Sequence, residues 1–137
     1  MKCAYDFHIH TGASPCGHND MTPNNIVNMS VLKGLDAIAI TDHHTCANIQ
    51  AVIEVASQTN LTIIPGMEIE TSEEVHMIAL FDHVEKAIQL EEIIHKHLPN
   101  IPNREDVFGE QIIYNQQDEV VGRIERLLLT ATSLSVS

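Results

Sequence analysis

The sequence predicts a single α/β domain over residues 1–137, because short apolar segments alternate with segments of helical periodicity. Residues 37–40 are apolar without alternation, which is typical of a parallel strand covered on both faces. Ile49, Val52 and Ala56 fall on one side of a helix, as an amphipathic segment requires. We therefore expect a parallel sheet with right-handed crossovers, and functional residues at the carboxyl ends of its strands.

The individual elements follow in chain order. A first strand is expected over residues 4–10. Thr22 and Pro23 begin the first helix, because a hydroxyl side chain caps a helix and proline suits its first position. Gly34 is a suitable stop for that helix, and Pro65-Gly66 is expected to bend the chain after the third strand. The other predicted elements are a helix over 47–58, strands over 61–64 and 75–81, a helix over 84–97, a hairpin of 111–114 with 119–121, and a last helix from about Arg123.

The composition excludes several classes of protein. A net charge of −12 disfavours a nucleic-acid partner, which needs a basic face. Three cysteines without framework spacing fit a reducing compartment and not a disulfide scaffold. The first residues meet an acid at once and include no long apolar core, so we expect no signal peptide, and no segment has the roughly 20 uncharged apolar residues of a membrane span. We expect a cytoplasmic protein with no membrane partner.

Metal-binding side chains recur where the predicted strands end. Asp6, His8 and His10 share one face of the first strand, since alternate residues of a strand point to the same side. His43 follows the second strand and Glu68 follows the third. Imidazole and carboxylate ligands suit zinc, manganese or iron. Several such ions activate water and neutralise a phosphate, so the pattern predicts an active site for phosphate chemistry.

Neighbouring polar residues have simpler interpretations. Asp42 is expected to accept a hydrogen bond from a ligand histidine and not to touch metal. His44 is interpreted as a rim or helix-start residue, and Glu70 as pointing away from the position of Glu68 or lying at the rim. His83, His95 and His97 are interpreted as surface groups, the last two favoured by the helix dipole.

Four segments in order resemble the motifs of one family. They are residues 6–11 (DFHIHT), 34–43 (GLDAIAITDH), 64–70 (IPGMEIE) and 74–80 (EVHMIAL). Together they resemble the PHP (polymerase and histidinol phosphatase) family, strongly over about the first 80 residues. The resemblance implies a distorted (β/α)7 barrel, of which this chain would hold about the first half. The ending at residues 132–137 fits a longer barrel or a frayed tail equally.

The resemblance also implies a ligand set for two or three divalent ions. His8 and His10 would bind one ion, Glu68 would bridge two, and His43 and His76 would serve the neighbouring ions. The loop between Ser14 and Asp20 would add another ligand. Its candidates are Cys16, His18 and Asp20, with Asp20 slightly favoured.

The expected function is a metal-dependent phosphoesterase that hydrolyses a phosphate mono- or diester through a metal-bound hydroxide, with Glu68 and His43 as catalytic residues. Its substrate would be a phosphorylated small molecule or a nucleotide. The sequence departs from the family after His97, where it has no histidine and no Asp-x-His. Two alternatives therefore stand: a catalytically incomplete metal-binding or assembly module, or a polymerase-associated domain. A homo-oligomer that completes the barrel is a further expectation.

Overall fold

The computed structural model describes residues 2–137 and has an α/β fold. In chain order its elements are β1 (Tyr5–Ile9), α1 (Pro23–Leu32), β2 (Ala37–Ile40), α2 (Ile49–Ala56), β3 (Thr62–Glu70), β4 (His76–Leu80), α3 (Val84–Lys96), α4 (Glu105–Phe108), β5 (Ile112–Tyr114) and β6 (Val120–Arg123). The predicted elements up to the hairpin are confirmed to within a few residues, except for the length of β3. The short helix α4 was not predicted.

The boundaries of α1 follow its capping residues. The Thr22 hydroxyl accepts a hydrogen bond from the Asn25 amide at 3.3 Å, and Pro23 occupies the first helical position. After the helix, Gly34 takes a φ of 73°, a conformation open to glycine at little cost. The start and stop predicted for this helix are therefore confirmed.

The main sheet is mixed, which corrects the expectation of an all-parallel sheet. Its strand order is β1-β2-β3-β4, with β1, β2 and β3 parallel and β4 antiparallel to β3. Only residues 71–75 join β3 to β4, whereas a parallel pair needs a crossover of about a dozen residues or more. The reversed direction sets His76 opposite Glu70, so the first residue of β4 lies beside the end of β3.

Strand β3 continues through Pro65-Gly66, so the bend predicted there was wrong. The Pro65 carbonyl accepts a hydrogen bond from the Phe81 amide at 2.8 Å, which keeps the proline within the sheet. A Cβ atom at Gly66 would lie 2.9 Å from the carbonyl oxygen of Ala79. Glycine therefore permits close packing of β3 against β4, and the strand reaches Glu68 and Glu70.

The hydrophobic core lies between the sheet and helices α1, α2 and α3. Each helix contributes an apolar stripe, and β2 contributes side chains that are fully buried. Burial of each such aliphatic side chain contributes roughly 1.5–3 kcal/mol. Largest among the buried core side chains are Ile38, Ile40, Ile49, Met67 and Ile94. Among the described helices, none combines the length and apolar character that crossing a membrane requires.

The helix expected from about Arg123 is wrong, because β6 ends at Arg123 and the described chain after it contains no helix. The side chain of Gln111 binds this segment in an extended form. Its amide nitrogen donates to the carbonyls of Ile124 and Arg126 at 2.8 and 2.7 Å, and its oxygen accepts from the Leu128 amide at 2.9 Å. These bonds occupy backbone groups that a helix would use internally.

Residues 2–137 thus form a four-stranded sheet and a two-stranded ribbon of β5 and β6. The seven-stranded barrel implied by the family motifs stays a prediction.

Candidate metal centre

The functional side chains converge where the first three strands end and the fourth begins. His8 lies in β1, His10 follows it directly, and Glu68 lies in the last part of β3. His43 follows β2 and makes a parallel bridge to Glu68. His76 joins them because β4 is antiparallel, which explains how a residue early in its strand reaches the same edge. The expected convergence of these five residues is what the fold produces.

The carboxylate of Glu68 is the centre of this cluster. Its side chain is only 5% exposed, and its Oε1 lies 2.8 Å from His8 Nε2. Its Oε2 lies 2.8 Å from His43 Nε2, with nitrogens of His10 and His76 at 3.5 and 3.6 Å. One carboxylate therefore contacts four imidazoles, and its two oxygens face different histidines. This is the arrangement that a bridging carboxylate requires.

Asp42 organises the loop after β1 and contacts no histidine by hydrogen bonds, which corrects its expected partner. Its Oδ1 accepts from the Thr11 amide and the Ser14 hydroxyl, and its Oδ2 accepts from the Thr11 hydroxyl, each at 2.7 Å. Burial raises the pKa of Asp42, and these hydrogen bonds oppose that change. The Ser14 hydroxyl oxygen also accepts from the His43 amide at 3.1 Å. Asp42 thereby fixes the loop against the end of β2.

His44 is a buried structural residue and not the rim residue expected from the sequence. It has a φ of 54° and no exposed surface. Its Nε2 accepts from the Glu70 amide at 2.9 Å, so the ring proton lies on Nδ1, which donates to the Leu128 carbonyl at 2.8 Å. His95, also expected at the surface, contacts the His44 carbonyl through Nε2 at 2.7 Å. These bonds hold the turn that carries His43.

The remaining predictions for polar side chains concern His83, His97 and Glu70. His83 and His97 are exposed, as expected. Glu70 is 19% exposed in its side chain and lies 4.0 Å from His76 Nε2, outside the cluster of close contacts around Glu68.

Burial keeps His43 neutral. Loss of hydration lowers the pKa of His43 to about 4, although Glu68 acts in the opposite direction. A neutral imidazole is the form that binds metal. Within residues 2–137, the Nδ1 of His43 and the Nε2 of His10 are buried and find no hydrogen-bond partner. An unsatisfied buried polar atom costs roughly 1–3 kcal/mol, and cations bound at these nitrogens would remove that cost.

Divalent cations need several ligand atoms close together, and three groups of side chains have this spacing. They are His8, His10 and Glu68; His43, Glu68 and His76; and His10, Cys16 and His43, with the ligand atoms of each group within 4.8 Å of one another. Each pair of groups shares one residue. The described residues therefore fit divalent cations.

The loop side chain with the spacing of a metal ligand is Cys16, whereas the favoured candidate Asp20 lies outside these groups. The side chains of His18 and Asp20 are 85% and 90% exposed and lie 3.8 Å from each other, outside the three groups. A tight turn folds Cys16 back towards His10, since the Gly17 amide donates to the Ser14 carbonyl at 2.8 Å. A Cβ at Gly17 would lie 2.5 Å from the Thr11 carbonyl oxygen. That glycine was the sequence signal for the turn.

The Cys16 thiol faces an anionic environment. Burial, and then the charges of Glu68 and Asp42, raise its pKa. Beside it opens a cleft of about 520 Å³, lined by Asp6, His8, His10, Cys16, His18 and Met21. A ligand in this cleft would therefore contact the imidazole cluster, which consists of His8, His10, His43 and His76 around Glu68, through His8 and His10.

Comparison with known proteins agrees with this geometry. A family model described as the PHP domain matches residues 6–133. The 5′-3′ exoribonuclease Rnm of Salmonella typhimurium is 40% identical over 81 residues, which cover 56% of this chain and 27% of the relative. A 5′-3′ exoribonuclease of Haemophilus influenzae is 30% identical over 83 residues, covering 58% of this chain and 29% of that protein.

A solved structure shares the fold. It is that of a protein from Bifidobacterium adolescentis described as a metal-dependent phosphoesterase, with 27% identity and a TM-score of 0.54. The match covers 71% of this chain and 35% of the solved one. The chain thus spans about a quarter to a third of the length of these proteins.

Proposed function

Because the chain belongs to the PHP domain family, we propose that it is a metal-dependent phosphoesterase that hydrolyses a phosphate mono- or diester. The observation that carries this proposal is the Glu68 carboxylate, which contacts imidazoles from β1, from β4 and from the loops after β1 and β2. A buried carboxylate surrounded by imidazoles is a site for cations. The solved neighbour described as a metal-dependent phosphoesterase supports the same chemistry.

The chain's own residues supply binding and orientation. Bound divalent cations would supply activation of water and neutralisation of the phosphate charge. Glu68 would hold two cation positions, because its oxygens face different histidines. His43, neutral through burial, offers a lone pair without first losing a proton at neutral pH. His8, which is about half exposed, lies at the mouth of the site where a substrate would enter.

The proposed substrate is a nucleotide or another small phosphate ester. The exoribonuclease relatives act on phosphodiesters, which supports this class of bond. A net charge of −12 opposes extended contact with a polyanion, so a substrate with few phosphates fits better than a long nucleic acid.

The test compares metal content and hydrolysis in matched variants. The purified chain, loaded with zinc, manganese or iron, is assayed with p-nitrophenyl phosphate and bis-p-nitrophenyl phosphate. The double variant His8→Ala/Glu68→Ala should lose metal uptake and turnover together, whereas His83→Ala should keep both, because His83 is exposed and makes no capping bond. Undiminished turnover by the double variant would refute the proposal.

A second candidate is a metal-binding assembly module, and strand β4 favours it. Over residues 2–137 the outer edge of β4 pairs with no other strand, and Met77, Ile78 and Leu80 are 45%, 39% and 44% exposed. Unpaired apolar edges favour association, here with a second copy of the chain. Metal uptake without turnover, together with a dimeric mass by light scattering, would favour this function over hydrolysis. Met77→Lys should then return the mass to that of a monomer.

A further inference from the structure

We propose that Cys16 binds a cation as a thiolate together with His10 and His43, giving a mixed sulfur and nitrogen position that favours zinc over manganese. The inference rests on the metal dependence of the proposed function and not on its hydrolysis step. Binding would replace the S–H proton of Cys16 by a metal–sulfur bond, with the proton released to solvent.

The first support is the position of the sulfur atom. Cys16 Sγ lies 3.3 Å from His10 Nδ1, and the ligand atoms of His10, Cys16 and His43 lie within 4.8 Å of one another. The rings of His10 and His43 are tilted by 60° with centroids 4.8 Å apart. Two imidazoles and one sulfur therefore surround a common point from different directions.

A second, independent support is an imidazole without a partner. The side chain of His43 is 6% exposed, and its Nδ1 forms no hydrogen bond with any residue that the structure describes. Buried polar atoms are normally satisfied. A cation at this position would satisfy the ring together with the sulfur.

The loop holds Cys16 in place before any ligand arrives. Ser14 donates to the buried Asp42 carboxylate and its carbonyl accepts from the Gly17 amide, so both neighbours of the Pro15-Cys16 segment are fixed. A preorganised ligand loses little conformational freedom on binding. The hydrogen bonds of the loop therefore position the thiol beside His10 before a cation binds.

The other two cysteines provide a contrast. Cys46 is buried and its thiol donates to Glu91 Oε2 at 3.1 Å, and Cys3 is exposed ahead of β1. Neither belongs to a group with metal-ligand spacing among residues 2–137. Only Cys16 adjoins the imidazole cluster, so Cys3 serves as a control.

A thiolate changes which ion the site prefers. Sulfur ligands favour zinc and other softer ions, whereas oxygen ligands suit manganese and magnesium. A carboxylate in this loop, as expected for Asp20, would weaken that preference.

The test uses Co²⁺ as a spectroscopic substitute for zinc in the metal-free, reduced chain. The wild type should develop the near-ultraviolet absorption of thiolate-to-cobalt charge transfer. Cys16→Ser and Cys16→Asp should lose that band, and the Asp variant should still bind cobalt. Cys3→Ser should retain the band at full intensity. Far-ultraviolet circular dichroism of each variant verifies that it is folded.

Persistence of the band in both Cys16 variants would overturn the inference, as would its absence from the wild type. The result is separable from the test of hydrolysis. A band without phosphoester turnover would support thiolate binding while refuting the hydrolase, and turnover without a band would do the reverse.

Discussion

Replacing Asp42 by asparagine should destabilise the metal-free chain by about 3 kcal/mol, because no orientation of the amide satisfies its surroundings. The Thr11 hydroxyl oxygen already accepts from the Asn48 side chain at 2.8 Å and the Ala13 amide at 3.1 Å. Its single proton must therefore go to Asp42 Oδ2. In Asp42→Asn, an amide nitrogen at the position of Oδ2 would place its protons against the Thr11 hydroxyl proton. With the amide reversed, the nitrogen would lie at the position of Oδ1 and face the donors of the Thr11 amide and the Ser14 hydroxyl.

The magnitude follows from two contributions and one offset. A lost hydrogen bond to a charged group costs roughly 1.5–3 kcal/mol, and a buried donor left unpaired costs roughly 1–3 kcal/mol more. Removal of a buried charge returns part of this sum, since burial raises the pKa of Asp42. A net loss of about 3 kcal/mol corresponds to a fall in Tm of about 10 °C for a chain of this size.

The assay is urea unfolding of chelator-treated protein at pH 7, with Asp20→Asn as the matched control. The side chain of Asp20 is 90% exposed, so its variant should stay within about 0.5 kcal/mol of the wild type. If Asp42→Asn were as stable as the control, the cost of burying the charge would cancel the hydrogen bonds, and the reasoning would be wrong.

Two further predictions concern pH and packing. Since burial lowers the pKa of His43 to about 4 from 6.5, the folded chain binds fewer protons than the unfolded chain between these values. Stability of the metal-free protein should thus fall by about 2 kcal/mol from pH 7 to pH 5, and the fall should be smaller in His43→Gln; equal falls in both would contradict this origin. Gly66→Ala should cost about 2 kcal/mol in urea unfolding, because its Cβ would lie 2.9 Å from both the Ala79 carbonyl oxygen and the Thr41 side chain. Gly122→Ala should be neutral, since the nearest atom there is 3.8 Å away, and similar losses in the two variants would refute the packing argument.

Much of the site was predictable because it depends on strand periodicity and strand ends. His8 and His10 share a face by alternation, and parallel strands bring the residues after β2 and those late in β3 to the same edge. The direction of β4 was also readable in principle, since residues 71–75 are too few for a crossover.

Other features depend on contacts between distant residues. The position of Cys16 beside the imidazoles rests on a turn that Asp42 stabilises from the loop after β2. The extended form of residues 124–128 rests on the Gln111 side chain, whose pairing with that segment leaves no local pattern. His44 illustrates the same limit, because its partners Glu70 and Leu128 come from two separate regions.

The hairpin formed by β3 and β4 divides the metal centre into a local and a distant part. Glu68, Glu70 and His76 are joined by one tight turn, whereas His8 and His43 arrive from earlier strands. A carboxylate and an imidazole can therefore meet in a chain whose remaining strands have not yet assembled. Divalent ions should therefore bind the partly folded chain in addition to the native one, although with fewer ligands. The stabilisation that they give would then be smaller than their affinity for the native site implies.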